Sequence, residues 1–147
     1  MLPVKVILDS NFLMIPFQFK IDVFQEIEYL LQRKVDFVVP SLVKAELTNI
    51  SARGGEGAPE ASLALQLASR FRVVEVTLGK NETVDDAIIK AAQRLNALVA
   101  TTDIELKKRL RNPPTTSADG TPLRSIPVIF MRDKSKLEID GLDREYI

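Results

Sequence analysis

Residues 3–13 read PVKVILDSNFL, and everything else in the chain is placed by how that stretch is read. Val4, Val6, Ile7 and Leu8 form a run rich in β-branched residues, interrupted only by Lys5, and Asp9-Ser10-Asn11 stops it abruptly. A short apolar run closed by turn formers predicts a strand buried on both faces of a parallel sheet. Asp9 then stands at the carboxyl end of that strand, the edge where open α/β sheets bind ligands.

The 147 residues predict a single domain around one core, with residues 132–147 as a polar C-terminal tail. Hydrophobic residues make up 46% and charged residues 27%, the balance of an ordinary globular protein. No apolar run reaches the length of a membrane span. The opening MLPVKVILD lacks the basic-then-apolar layout of a secretory signal, so a cytoplasmic protein with no membrane contact is expected. Twenty basic residues balance 20 acidic ones, which argues against a protein that coats nucleic acid by bulk charge.

Two absences restrict the chemistry further. Without cysteine there are no disulfides, thiolate nucleophiles or Cys-ligated metal centres. Without histidine there is no Ser-His-Asp triad and no imidazole acid–base catalysis. Any metal must be held by oxygen, which selects a hard cation such as Mg²⁺ or Mn²⁺.

Beyond Asp9 the chain alternates between strand and helix signals. Residues 11–19 are apolar but carry Pro16, which predicts a short helix and a loop. In residues 22–34, Val23, Phe24, Ile27, Leu30 and Leu31 recur at helical spacing. Residues 36–39 (DFVV) read as a second strand, with Ser41 as N-cap of a helix running to about residue 50 or 53. GGEGAP at 54–59 predicts a mobile loop. Helix resumes at 61–70, a third strand at 71–76 lies near an edge, and residues 81–95 carry the clearest amphipathic stripe. A fourth strand at 97–101 precedes a basic helix at 103–111. Residues 112–122 (NPPTTSADGTP) are loop by composition, and 126–131 (IPVIFM) form a fifth strand. This order predicts a three-layer α/β/α fold with a central, mostly parallel five-stranded sheet.

Such a topology gathers acids. Asp9 ends the first strand, Glu46 lies in the helix after the second, Asp85 and Asp86 open the helix before the fourth, and Asp103 follows the fourth. Clustered carboxylates raise one another's pKa unless a cation neutralises them, so the set suits a divalent metal. Each acid also has a plainer role. Asp9-Ser10-Asn11 is a good turn sequence, Thr83-x-x-Asp86 resembles a capping box, and Asp103 suits an N-cap. Glu46 shares a helix face with Leu42, Val43 and Ile50, where a carboxylate is costly unless it meets a metal or a buried Arg or Lys. Gly79-Lys80 lacks the upstream glycine of a P-loop, and Asp9-Ser10-Asn11 is not the Asp-x-Asp of a phosphoaspartate phosphatase.

The stretches Val6-Ile7-Leu8-Asp9-Ser10-Asn11, Glu46, Asp86-Ala87-Ile88-Ile89 and Ala100-Thr101-Thr102-Asp103 together resemble the motifs of PIN-domain ribonucleases. ATTDIELKKRLR at 100–111, a proline-bearing loop and then IPVIFM are most similar to the branch that includes the eukaryotic PIN nuclease of small-subunit rRNA maturation, with VapC-type toxins also similar. The resemblance implies a Mg²⁺- or Mn²⁺-dependent endoribonuclease, often a homodimer, acting on RNA alongside an antitoxin or a pre-ribosomal partner. Carried over by position, Asp9, Glu46, Asp86 and Asp103 are the metal-binding and catalytic quartet, accompanied by Ser10 and Thr101. Asp85 contests the third place, and Glu105 could join or replace Asp103. Lys107, Lys108, Arg109 and Arg111 could hold the RNA backbone, or form a solvated helix face. The rival function is a non-catalytic RNA-binding or ribosome-assembly module on the same fold.

Overall fold

A computed structural model describes residues 3–142. The strands are β1 (Val4–Leu8), β2 (Val35–Pro40), β3 (Arg72–Val74), β4 (Leu98–Ala100), β5 (Val128–Arg132) and β6 (Lys136–Asp140). The helices are α1 (Ser10–Phe19), α2 (Val23–Leu31), α3 (Ser41–Arg53), α4 (Ala58–Ala68), α5 (Val84–Leu95) and α6 (Ile104–Arg111). One sheet runs in the order β3-β2-β1-β4-β5-β6, with every pairing parallel except the antiparallel β5–β6. Helices flank it in a three-layer α/β/α arrangement, as the alternating signals predict.

The topology decides where a site can form. From β1 the chain steps outward through β2 to β3, then returns across β1 to lay down β4 and continue the other way. The carboxyl ends of β1 and β4 therefore lie side by side where the winding reverses, with Leu8 opposite Ala100. Loops leaving two neighbouring strands in opposite directions open a crevice there. Val6, Ile7 and Leu8 of β1 and Leu98, Val99 and Ala100 of β4 are all fully buried, as a strand covered on both faces requires. Small residues let the helices come close. Ala61, Ala64 and Ala68 of α4 and Ala87, Ala91 and Ala92 of α5 are fully buried at helical spacing. On the β2–β3 side, Phe24, Phe37 and Phe71 pack as three mutually contacting rings, with centroids 5.1–5.4 Å apart.

Three expectations change. Pro16 does not break α1: the helix runs through it to Phe19 and closes at Lys20, whose N–H donates to the Pro16 carbonyl at 3.0 Å. Proline removes one helical hydrogen bond, at a cost of about 3 kcal/mol or more. Burial of Phe12, Leu13 and Ile15 offsets that cost. The loop at 54–59 is shorter than predicted, because Gly57 (φ 85°) caps α4 and Pro59 falls in its first turn, where a missing N–H costs nothing. The sheet has six strands rather than five. The chain after β5 turns at Asp133 and Lys134, both at left-handed φ, and returns as β6. Leu137 of β6 is 5% exposed, which gives this strand its own share of the core. The remainder of the C-terminal tail, 143–147, lies outside the described residues.

If β6 is an integral strand, Leu137→Ala should lower the unfolding free energy by about 2–4 kcal/mol in a urea titration. Lys136→Ala, on the exposed neighbouring position, should change it by less than about 0.5 kcal/mol.

Candidate active site

Asp9 is the deepest acid in the crevice. It leaves β1 in extended conformation and caps α1, accepting the Ser10 N–H on Oδ1 at 2.8 Å. Its Oδ2 accepts the Thr101 hydroxyl at 2.6 Å and the Asn11 amide at 3.2 Å. The Thr101 oxygen in turn accepts the backbone N–H of Asp103 at 3.0 Å. Asn11 completes the join by accepting the Thr102 N–H on its Oδ1 at 3.0 Å. Side chains from the end of β1 thus hold the chain leaving β4 in register with Asp9. Asp9 and Thr101 are 4% and 1% exposed, so these bonds run in a nearly dry setting.

That burial has an electrostatic consequence. Desolvation pushes the Asp9 carboxyl up to about 6, against the pull of its bonds from Thr101 and Ser10, and the charges of Glu46 and Asp85 push the same way. Glu46, half-buried on α3, accepts the Ser10 hydroxyl on Oε1, which ties α3 to the start of α1. Asp103 caps α6 through Oδ1, which accepts the N–H groups of Glu105 at 2.9 Å and Leu106 at 3.1 Å. Only Oδ1 is used by the cap, so capping and a role in the crevice are compatible.

The two acids that open α5 separate cleanly. Asp86 sits at the third helical position and closes a reciprocal capping box with Thr83: its Oδ2 accepts the Thr83 N–H at 2.7 Å. Its Oδ1 takes the Arg109 guanidinium at 2.6 Å. The Arg109 bond, then the cap bond, holds the Asp86 carboxyl below the usual carboxylate range. Asp85 is raised instead, by burial first and then by the charge of Asp103, with Arg109 opposing and Glu46 adding. Among the acids predicted from sequence, Asp9 feels the charges of Glu46 and Asp85, and Asp85 feels those of Asp103, Glu46 and its neighbour Asp86. Asp86 is committed to the cap and to Arg109. Glu105 is exposed and pairs with Lys108 at 3.5 Å.

The basic residues behind Asp103 divide in the same way. Lys107 lies 3.6 Å over the Phe130 ring and 3.6 Å from Asp140. Arg111 donates to the Ile126 carbonyl at 3.2 Å and sits 3.9 Å from Asp140. Both brace the β5–β6 hairpin. Lys108 and Arg109 remain largely exposed, Arg109 beside the acids through Asp86. Asn11 is the residue that sequence reading leaves unassigned. Its signal was its place two residues after Asp9, at the start of α1.

Whether this set suits a divalent cation can be judged from the donors themselves. All are hard carboxylate oxygens. Among the described residues, none of Asp9, Glu46, Asp85 and Asp103 forms an ion pair with Lys or Arg. Two of them, Asp9 and Asp85, are raised by burial and by their neighbours' charge, the penalty a cation removes. Among the described residues no three acids are drawn together tightly enough to enclose an ion as they stand. Mutual repulsion of uncompensated carboxylates opposes such closure. The donor set fits the group.

Known proteins give the arrangement a context. Residues 6–134 match the family model of the PIN like domain. Ribonuclease VapC4 of Methanocaldococcus jannaschii is 32% identical over 142 residues, covering 94% of this chain and 98% of that protein. The rRNA-processing protein FCF1 of Saccharomyces cerevisiae is 29% identical over 126 residues, and the match spans 84% of this chain but 60% of FCF1. The solved structure of the PIN domain endonuclease Utp24 superposes with a TM-score of 0.72 at 29% identity, covering 95% of this chain and 93% of that one. The reversal of the sheet beside Asp9, the acids around it and the family match over residues 6–134 agree, and the chain belongs to the PIN-like domain family.

Proposed function

We propose that this protein is a divalent-metal-dependent endoribonuclease. The observation that supports the reading is that acids from separate elements act on one another, Glu46 and Asp85 on Asp9, and Asp103 and Glu46 on Asp85, with no ion pair from these four to Lys or Arg among the described residues. The relatives named ribonuclease and PIN domain endonuclease support RNA as the substrate class. The same relatives support an antitoxin or a pre-ribosomal assembly as the partner, according to the branch in which the chain acts. Mapping the cleavage ends in total RNA treated with the purified protein distinguishes the two branches.

In this reading Asp9, Glu46, Asp85 and Asp103 hold Mg²⁺ or Mn²⁺, and Asp85 takes the place that the resemblance gave to Asp86. When bound, such a cation supplies charge against the reacting phosphodiester and lowers the pKa of water. The protein's own contribution is positioning. Thr101 and Asn11 fix both the plane of the Asp9 carboxylate and the path of residues 101–103. Ser10 orients Glu46, and the helix-capping bonds of Asp103 fix its rotamer while leaving one oxygen for the site. Arg109, held by Asp86, stands ready for a phosphate oxygen at the rim.

The two neighbouring acids of α5 give the sharpest test. With single-stranded RNA and Mn²⁺, Asp85→Asn should lower kcat/KM by at least about 100-fold, the scale of losing one preorganised charge in a site. Asp86→Asn should cost less than about ten-fold and show itself chiefly as a loss of roughly 0.5–2 kcal/mol in stability through the weakened cap. Equal losses of activity in the two variants would refute the assignment of Asp85.

A second test uses pH. Because the folded Asp9 carboxyl is raised to about 6 from 3.8, its protonated form is the one that favours folding. That contribution is fully present below its ordinary value and is lost as pH rises through about 6, on the order of 3 kcal/mol in total. The metal-free protein should therefore become less stable between acid and neutral pH, and Asp9→Asn should flatten that slope. Millimolar Mn²⁺ should raise Tm at neutral pH and lose this effect in acid, where protons displace it. Calorimetry across the pH range, with and without the ion, checks both.

A further inference from the structure

The acids of the crevice account for chemistry at one phosphodiester but not for how the neighbouring nucleotide is held. Beside Glu46 lies a groove of about 380 Å³ between α3 and the start of α5. That volume falls near the lower end of small-ligand sites, which span roughly 300–1,000 Å³. Its floor is apolar, made by Leu42, Ala45, Ile50 and Val84. Its polar lining is Glu46, Asn49 and Arg53, on α3. From Glu46 to Arg53 is seven residues, two helical turns and on the order of 10 Å along the axis. The groove therefore starts at the acids and ends at a cation, with an amide between them. Val84, on its far wall, directly precedes Asp85.

Asn49 and Arg53 differ from the other polar groups around the crevice. Ser10, Thr101, Asn11, Asp86 and Arg109 all have partners. Among the described residues, Asn49 has no side-chain hydrogen bond and Arg53 has neither a hydrogen bond nor an ion pair; both are exposed. Arg53 lies in the last turn of α3, where a cation suits the helix dipole, but that does not use its guanidinium donors. Aliphatic side chains that can lie against a base, an amide that both donates and accepts, and a cation beyond it, away from Glu46, make up a mostly apolar site with a few orienting polar groups, suited to a base and its phosphate.

We propose that this groove is a nucleotide subsite for single-stranded RNA, one step along the strand from the reacting phosphodiester. The base lies on Leu42, Ile50 and Val84, Asn49 reads its edge, and Arg53 takes a phosphate. The inference rests on the ribonuclease reading and names how its substrate is oriented. Seating a base on this floor requires one turned out of its stack, so the proposal is for a single strand.

The test separates binding from turnover. In an Asp9→Asn background, affinity for a labelled single-stranded RNA is measured by fluorescence polarisation over a salt series, while kinetics and cleavage ends are measured with Asp9 intact. Arg53→Gln should weaken binding about ten-fold or more. It should also reduce the salt slope by about 0.7, the amount for one phosphate on a single strand. It should raise KM with kcat nearly unchanged, and Arg53→Lys should restore the salt slope. Asn49→Ala should change the distribution of cleavage ends more than the rate. Because Asn49 and Arg53 are exposed, folding should survive, as circular dichroism will show. Unchanged affinity, salt slope and cleavage ends in Arg53→Gln and Asn49→Ala would overturn the subsite and leave the groove to a protein segment. A protein with Asp9 and the groove intact that neither binds nor cuts RNA would instead sink the ribonuclease reading.

Discussion

The arrangement depends on a carboxylate kept where the sheet would be more stable without one. Asp9 is almost fully buried at the reversal of the winding, bonded to Ser10, Thr101 and Asn11, and its pKa is still raised to about 6. Those bonds return only part of the free energy lost when its charge leaves water. An apolar residue of similar shape would satisfy the core at lower cost. The fold tolerates the charge because the same bonds fasten the loop after β4 to the start of α1. The site is therefore a local expense set against a well-packed interior in which β1 and β4 are wholly buried. It sits where two strand ends diverge, the place where open α/β sheets bind ligands.

Helix beginnings concentrate the acids. Asp9 and Asp103 are each the N-cap of a helix, and Asp85 lies in the first turn of another. Unsatisfied N–H groups and the positive end of the helix dipole lower the cost of an anion there. Several such beginnings meet at one edge of a parallel sheet, so Asp9, Asp85 and Asp103 are carried to the same rim, where their charges act on one another through Asp85. The same geometry also discriminates. At the third helical position, the reciprocal box with Thr83 engages the carboxylate of Asp86; one position earlier, Asp85 stays outside that box and feels the charges of Asp103 and Glu46.

How much of this was legible depended on whether the deciding contacts were local. Val4–Leu8 and the stripe of α5 are periodic, so their place in the sheet and against it could be read directly. The box between Thr83 and Asp86 is a four-residue pattern and was equally visible. Pro16 misled because the burial that rescues α1 comes from α3 and α4, which pack on it from elsewhere in the chain. β6 did carry a signal, since Lys-Leu-Glu-Ile-Asp alternates with the period of a strand. Its turn was not recognisable, because Asp133 and Lys134 take left-handed φ without the glycine that usually marks such a hairpin. The basic helix hid its division of labour for the same reason. The partners of Lys107, Phe130 and Asp140, lie in β5 and β6, beyond the long loop that follows α6.

An acidic centre that acts on a polyanion faces a charge problem that net charge does not solve here. The chain's basic and acidic residues balance, so no long-range field draws RNA in, and at physiological ionic strength any such field is screened beyond about 8 Å. Attraction must be local and must overcome the repulsion of the carboxylates themselves. Two features of the structure meet that need. On the proposed reading a divalent cation held by the carboxylates reverses the local charge, and two arginines lie near them, Arg109 fixed by Asp86 and Arg53 in the groove beside Glu46, without a partner among the described residues. On this account the metal and the substrate strengthen each other's binding, because each neutralises charge that would repel the other. On the proposed reading Asp86 contributes through Arg109: their 2.6 Å contact holds a guanidinium near Asp85, whose charge it offsets.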